Sequence, residues 1–121
     1  MYNTKINPIQ KLCTASQWKS LVGNYETNQR NIMNDGDTED FKPVVKFFDP
    51  FGAATWLVSE SSPDGQAFGF CDLGQGMPEL GYFSLKELCQ IGRIERDLHF
   101  KPKKSLLEYA LEADKKGRIV A

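Results

Sequence analysis

The segment Cys71-Asp72-Leu73-Gly74-Gln75-Gly76-Met77-Pro78-Glu79-Leu80-Gly81-Tyr82 concentrates the residue types best suited to chemistry: two carboxylates, three glycines and a tyrosine. Glycine-rich loops after strands can cradle phosphates through backbone N–H groups. Here Gly81 falls five residues after Gly76, which breaks the dinucleotide spacing. No Gly-Lys-Ser/Thr ending follows, Pro78 removes a donor, and Asp72 and Glu79 would repel an anion. The segment reads as a tight connection whose glycines take positive φ, or as a loop that contacts a ligand or partner.

Glu60, Asp72, Glu79 and Asp97 raise a second possibility. If strand ends bring them together, their oxygens could hold a hard cation or form an acid–base pair for hydrolysis. Sequence spacing alone does not bring them together, and polar strand faces are usually just solvated. His99 is the only histidine and no Cys-x-x-Cys pair exists, so the usual zinc patterns fail. No serine sits in a Gly-x-Ser-x-Gly elbow. Cys71 beside Asp72 would have its thiol pKa raised, which argues against a nucleophile. In the acidic loop Asn34 to Asp40, aligning Gly36 with an EF-hand glycine puts Met33 and Lys42 at ligand positions. That match fails, and no metal ligand or cofactor is predicted.

The elements that must position these groups are legible from caps and periodicity. Thr14 and Gln17 form a capping box, and Trp18, Leu21, Val22, Tyr25 and Ile32 follow at helical steps, predicting a helix over 15–30. Strands are predicted at 43–48, 54–60 and 67–72, joined by the turns Asp49-Pro50-Phe51-Gly52 and Ser61-Ser62-Pro63-Asp64-Gly65. Short connections favour an antiparallel meander. Leu80 to Phe83 predicts a short strand, and the Ser84–Glu87 capping box a brief helix. From Arg93 to Phe100 the pattern alternates as in a half-buried strand. A third capping box, Ser105–Glu108, opens a helix that Gly117 ends. The fold class is therefore α+β: a single domain with a mainly antiparallel sheet of four to five strands, flanked by two longer helices and one short helix. Residues 1–40 form its amino-terminal helix and acidic loop, and residues 41–121 its sheet and carboxy-terminal helix.

With 121 residues there is room for one core, and 40% hydrophobic with 26% charged residues is ordinary for a globular domain. Three widely spaced cysteines, an odd number, make no disulfide framework. No apolar run approaches a membrane span, and Met1 to Pro8 lacks a secretory core, which predicts a cytoplasmic protein without a membrane role. The net charge of −1 hides a basic carboxy-terminal part: residues 93–121 carry eight Lys/Arg against five Asp/Glu. This balance lacks the surplus of a general nucleic-acid binder, although Arg93, Arg96, Lys101, Lys103 and Lys104 could serve one. Phe47, Phe48 and Phe51 place aromatics on both sides of one hairpin, so an uncovered face could favour a protein partner or a homodimer.

From Phe41 to Ala113 the chain resembles a family of bacterial domains of unknown function. The residues that carry the match are Pro43-Val44-Val45-Lys46, Thr55-Trp56-Leu57, Phe68-Gly69-Phe70-Cys71-Asp72-Leu73-Gly74, Pro78-Glu79-Leu80-Gly81-Tyr82 with Ser84-Leu85, and Glu95-Arg96-Asp97-Leu98-His99-Phe100. Thr38-Glu39-Asp40-Phe41 also fits. The chain departs in a longer amino-terminal extension and a shortened segment between Leu88 and Ile94. The resemblance implies carriage on conjugative plasmids, integrative elements and phages, often near antirestriction genes, and it supplies no activity. Asp72, Gly74, Glu79, Tyr82, Arg96, Asp97 and His99 form the candidate binding or functional set, with no catalytic residue assigned. The expected function is a non-enzymatic accessory protein acting by protein binding, with a host-defence component as partner. The alternatives are a metal-assisted hydrolase of nucleic acid or nucleotide, and a nucleic-acid-binding module.

Overall fold

The computed structural model describes residues 12–121, so the stretch Met1 to Pro8, expected to lack a secretory core, lies outside the described residues. Helix α1 (Ala15–Met33) begins at Thr14, whose hydroxyl accepts from the Gln17 N–H while Gln17 accepts from the Thr14 N–H. Strands β1 (Val45–Phe48), β2 (Thr55–Ser61), β3 (Gln66–Asp72) and β4 (Glu79–Ser84) follow, then helix α2 (Leu85–Ile91), β5 (Glu95–Arg96) and helix α3 (Leu106–Lys116). The sheet runs β4-β3-β2-β1-β5 with every neighbour antiparallel. The meander and the α+β class are as expected.

Side chains alternate across a strand, and β2 uses both of its faces. Trp56 and Val58 join a cluster with Leu21 of α1, Val45, Phe47, Leu85 and Leu88. Leu57 points the other way into a cluster with Phe70, Leu106, Tyr109 and Ala113. Helix α1 therefore covers one face of the sheet and α3 the other. That explains why Trp56, Leu57, Val58 and Ser59 are buried without alternation, as in strands covered on both faces.

Two local irregularities shape the β2–β3 ladder. Val58 pairs with Gly69 but Glu60 pairs with Phe68, so Ser59 is the extra residue of a β-bulge and Glu60 is aimed where Ser59 would otherwise point. Opposite the bulge, the two backbones approach so closely that a Cβ on Gly69 would lie 2.1 Å from the Leu57 carbonyl oxygen.

The alternating stretch 93–100 behaves differently from its pattern. Only Glu95 and Arg96 pair with β1, and the chain then turns because the Asp97 carboxylate accepts from the His99 N–H at 2.9 Å. Leu98, expected on the buried side, is 75% exposed. Ser84 caps α2 by accepting from the Glu87 N–H, without the reciprocal half of a capping box. Ile32, expected on the inner face of α1, is exposed, and Asn28 is buried instead.

Candidate functional site

The seven candidate residues fall into two groups at opposite edges of the sheet. Asp72, Gly74, Glu79 and Tyr82 lie on β3, β4 and their connection; Arg96, Asp97 and His99 lie at β5. Four strand steps at roughly 4.8 Å each separate those edges by about 19 Å. Glu60 and Asp72 sit at opposite ends of the β2–β3 ladder, since Glu60 pairs with Phe68 and Thr55 with Asp72. Among the described residues, no three His, Cys, Asp or Glu side chains gather closely enough to hold a metal ion.

Most of the set is engaged in holding the fold. Asp72 is buried, and its two carboxylate oxygens accept from the Gly74 N–H at 2.8 Å and the Ile119 N–H at 3.0 Å. It closes the turn after β3 and pins the segment after α3. Gly74 takes φ +82, and an added Cβ would lie 2.4 Å from that of Ala53, so the tight-connection reading accounts for it. Arg96 donates to the Leu12 carbonyl at 2.9 Å. Asp97 pairs with Lys46 at 3.4 Å, and the His99 N–H and Lys46 hold its carboxyl below the usual range. His99 is exposed. Burial first, then Asp72 and Glu79, push the Cys71 thiol up to about 11, so it is a poor nucleophile at neutral pH.

The basic residues are similarly committed. Arg93 clamps Asp49 through two nitrogens at 2.9–3.0 Å, and Lys104 pairs with Glu112 at 2.8 Å while lying over the Tyr109 ring. With Arg96 also engaged, only Lys101 and Lys103 of the five have side chains free of an ion pair or hydrogen bond among the described residues.

What remains uncommitted lies between β4 and α3. β4 is an edge strand, and its residues Leu80 and Tyr82 pair with Phe70 and Phe68. Both therefore share the sheet face on which α3 packs, yet α3 packs chiefly against β2 and β3. Leu80 stays exposed, and Tyr82 is 69% exposed with its ring tilted against Phe68 at 5.1 Å between centroids. The Gly76–Pro78 connection and the near flank of α3 enclose a cleft of about 460 Å³, lined by Met77, Leu80, Ala110 and Asp114 among others. Helical spacing puts exposed Leu107, seven residues before Asp114, on that same flank, with exposed Leu111 at its outer edge. Apolar side chains are thus left uncovered here; the aromatic hairpin instead buries Phe47 and leaves only Phe51 fully out at its turn.

Near Tyr82 lies a second, separate pocket of about 110 Å³. Glu39, Asp40 and Glu60 line it together with Phe41, Phe68 and Tyr82, and among the described residues no Lys, Arg or His does. Asn28 organises its floor: its amide nitrogen donates to Glu60 Oε2 at 2.7 Å, and its Oδ1 accepts from the Glu39 N–H at 2.7 Å. Asp40 accepts from the Leu107 N–H at 3.0 Å, a favourable place for a carboxylate at a helix start. Sequence reasoning treats 34–40 as a solvated loop and does not single out Asn28. The available signal is a polar residue seven positions after Leu21 in the apolar stripe of α1.

Burial raises the Glu60 carboxyl above its usual 4.5, opposed by the Asn28 hydrogen bond. A carboxyl raised on folding carries no penalty below its unfolded pKa, and a growing one as pH rises through the folded value. Glu60→Gln keeps an acceptor for Asn28 and removes the charge. One pKa unit corresponds to about 1.4 kcal/mol, and partial exposure of Glu60 screens it, so a gain under about 1 kcal/mol is expected at pH 7. The same substitution should be neutral at pH 4. Thermal melts at the two pH values check this, and a loss of stability at pH 7 would contradict it.

None of the described helices is long and apolar enough to cross a membrane. The chain belongs to the family described as protein of unknown function (DUF2958), whose sequence profile matches residues 12–120. No curated protein matches it, and no solved structure does.

Proposed function

We propose, starting from membership of a family without an assigned activity, that this chain is a non-enzymatic protein-binding module. Its docking surface is the groove between β4 and α3. One observation carries the reading: an edge strand presents exposed Leu80 and Tyr82 on the sheet face that α3 packs against, and exposed Met77 lines the cleft between that strand and the helix. Exposed apolar surface of this kind is characteristic of interaction sites, and free strand edges in natural proteins are otherwise blunted by charge or proline. Within β4 the sole charge is Glu79, at its start. The hydrolase alternative gains no support, because Asp72 is occupied by backbone N–H groups and Asp97 lies at the far edge. The mobile-element setting implied by the family resemblance makes a cytoplasmic host-defence protein the fitting partner.

Photo-crosslinking tests the reading. Benzoylphenylalanine at Leu107 or Leu111 should capture one common species in host cells, whereas the same group at Lys116, exposed on the opposite side of the helix, should not. Capture should fall at least about tenfold when Leu80→Lys is added, the effect of burying one unpaired charge in an interface. Equal capture from all three positions, or none from the groove, would exclude this surface. A captured second copy of the chain would make the module a homodimer.

A further inference from the structure

Carboxylates line both the cleft (Glu79 and Asp114) and the pocket near Tyr82 (Glu39, Asp40 and Glu60), with no cationic side chain among the described lining residues, and that sign describes the occupant. We propose that the segment bound in the groove carries an arginine or lysine whose cationic tip enters the pocket over Phe68, which separates Glu60 from Tyr82 across the sheet. The inference rests on the protein-binding reading above and names the chemistry of the partner.

Three features of the pocket support this occupant. The first is size: about 110 Å³ is too small for a cofactor or a substrate, for which roughly 300 Å³ is the usual lower bound, but suits the end of one side chain. The second is charge. Among the described residues, Glu39, Asp40 and Glu60 line it without a lysine, arginine or histidine, and the Glu39 side chain has no hydrogen bond or ion pair. Asn28 satisfies one oxygen of Glu60 and orients the group, and the other oxygen remains available to a planar or tetrahedral cation. The third is the aromatic wall. Phe68 and Tyr82 stand in tilted contact at 5.1 Å, and Tyr82 is the most exposed aromatic of the sheet strands. Phe68 is the direct cross-strand partner of Glu60, and a ring beside a carboxylate suits a guanidinium, which stacks on the π face and donates to the carboxylate in its own plane. An anion or an apolar tip would leave those carboxylates desolvated and unpaired.

The occupant's remainder follows from position. Tyr82 and Leu80 are two residues apart on one face of β4, so a segment with its basic residue in the pocket lays its neighbouring side chains on Leu80, Met77 and the α3 flank. A basic residue followed by apolar ones is the pattern that fits.

The test uses the full chain, isotope-labelled, titrated with acetyl-Gly-Arg-Gly-amide and with its neutral isostere in which citrulline replaces arginine. Saturating shifts at Asn28, Glu60 and Tyr82 are expected with the arginine peptide, at least about tenfold tighter than with citrulline, as hydrogen bonds to a charged partner provide. Glu60→Gln should weaken the arginine peptide about tenfold and Tyr82→Ala about threefold. Tyr82 is exposed, so that variant reads binding even if Glu60→Gln were to unfold. Equal binding of both peptides, or shifts that bypass Glu60 and Tyr82, would overturn the proposal. If groove cross-links persist while the arginine peptide shows no preference, this inference alone fails; if both vanish, the docking surface fails with it.

Discussion

Replacing Asp72 by alanine should lower the free energy of unfolding by about 3–5 kcal/mol, because hydrogen bonds to a charged group contribute about 1.5–3 kcal/mol each and two are lost. The groups left behind are the backbone N–H donors of Gly74 and Ile119. Orphaning donors at a buried carboxylate site costs more than deleting an exposed pair. Asp72→Asn should recover about half of the loss, since its amide oxygen still accepts from one donor while its NH₂ faces the other. A domain of this size has roughly 5–15 kcal/mol in total, so the alanine variant should melt on the order of 10–20 °C lower. Urea and thermal unfolding measure both variants, and a change under about 1 kcal/mol for alanine would show that the turn closes without its carboxylate. Loss of function in an Asp72 variant would then be read as loss of fold rather than loss of a reacting group.

Gly69→Ala should be at least as damaging, at about 3 kcal/mol or more, or should prevent accumulation of folded protein. The added methyl would lie 2.1 Å from the Leu57 oxygen and 3.1 Å from the Val58 Cα. Both are backbone atoms of a strand packed on both faces, so neither can swing aside, and overpacking of this kind typically costs about 1–3 kcal/mol, occasionally more. Its cross-strand neighbour supplies the control. Gly81 pairs with Gly69, yet a Cβ there meets nothing within 4 Å. Gly81→Ala should be neutral or stabilise by up to about 1 kcal/mol through reduced freedom of the unfolded chain. If the two substitutions proved equivalent under chemical denaturation, the close approach at the bulge would be wrong.

The contrast between those two glycines indicates which parts of this molecule are legible in its sequence. Thr14–Gln17 and Ser105–Glu108 are readable as helix starts because a capping box is closed by residues three apart. The turns between β1, β2 and β3 are readable from Pro, Asp and Gly for the same reason. The tight connection after β3 is also legible, and Gly74 and Gly76 indeed take positive φ. The stretch after Arg96 misleads because alternation persists in the sequence while the Asp97 side chain diverts the backbone. Nothing local distinguishes Gly69 from Gly81, since the difference is a carbonyl arriving from another strand. The pocket is hidden more deeply. It requires the Ser59 bulge to aim Glu60, Asn28 to reach it from a helix 32 residues earlier, and Asp40 to meet the start of α3.

The covering of the sheet has a dynamic consequence. β2 is hydrogen-bonded along both edges and sealed by a helix on each face, whereas β4 has one bonded edge and β5 is two residues long. Opening fluctuations should therefore start at the margins and leave the centre closed until global unfolding. The groove's outer wall is one of those margins. A ligand seated there would quench motion of β4 against a stationary β3, so association should slow amide exchange along Glu79–Ser84 while leaving the middle of β2 as it was.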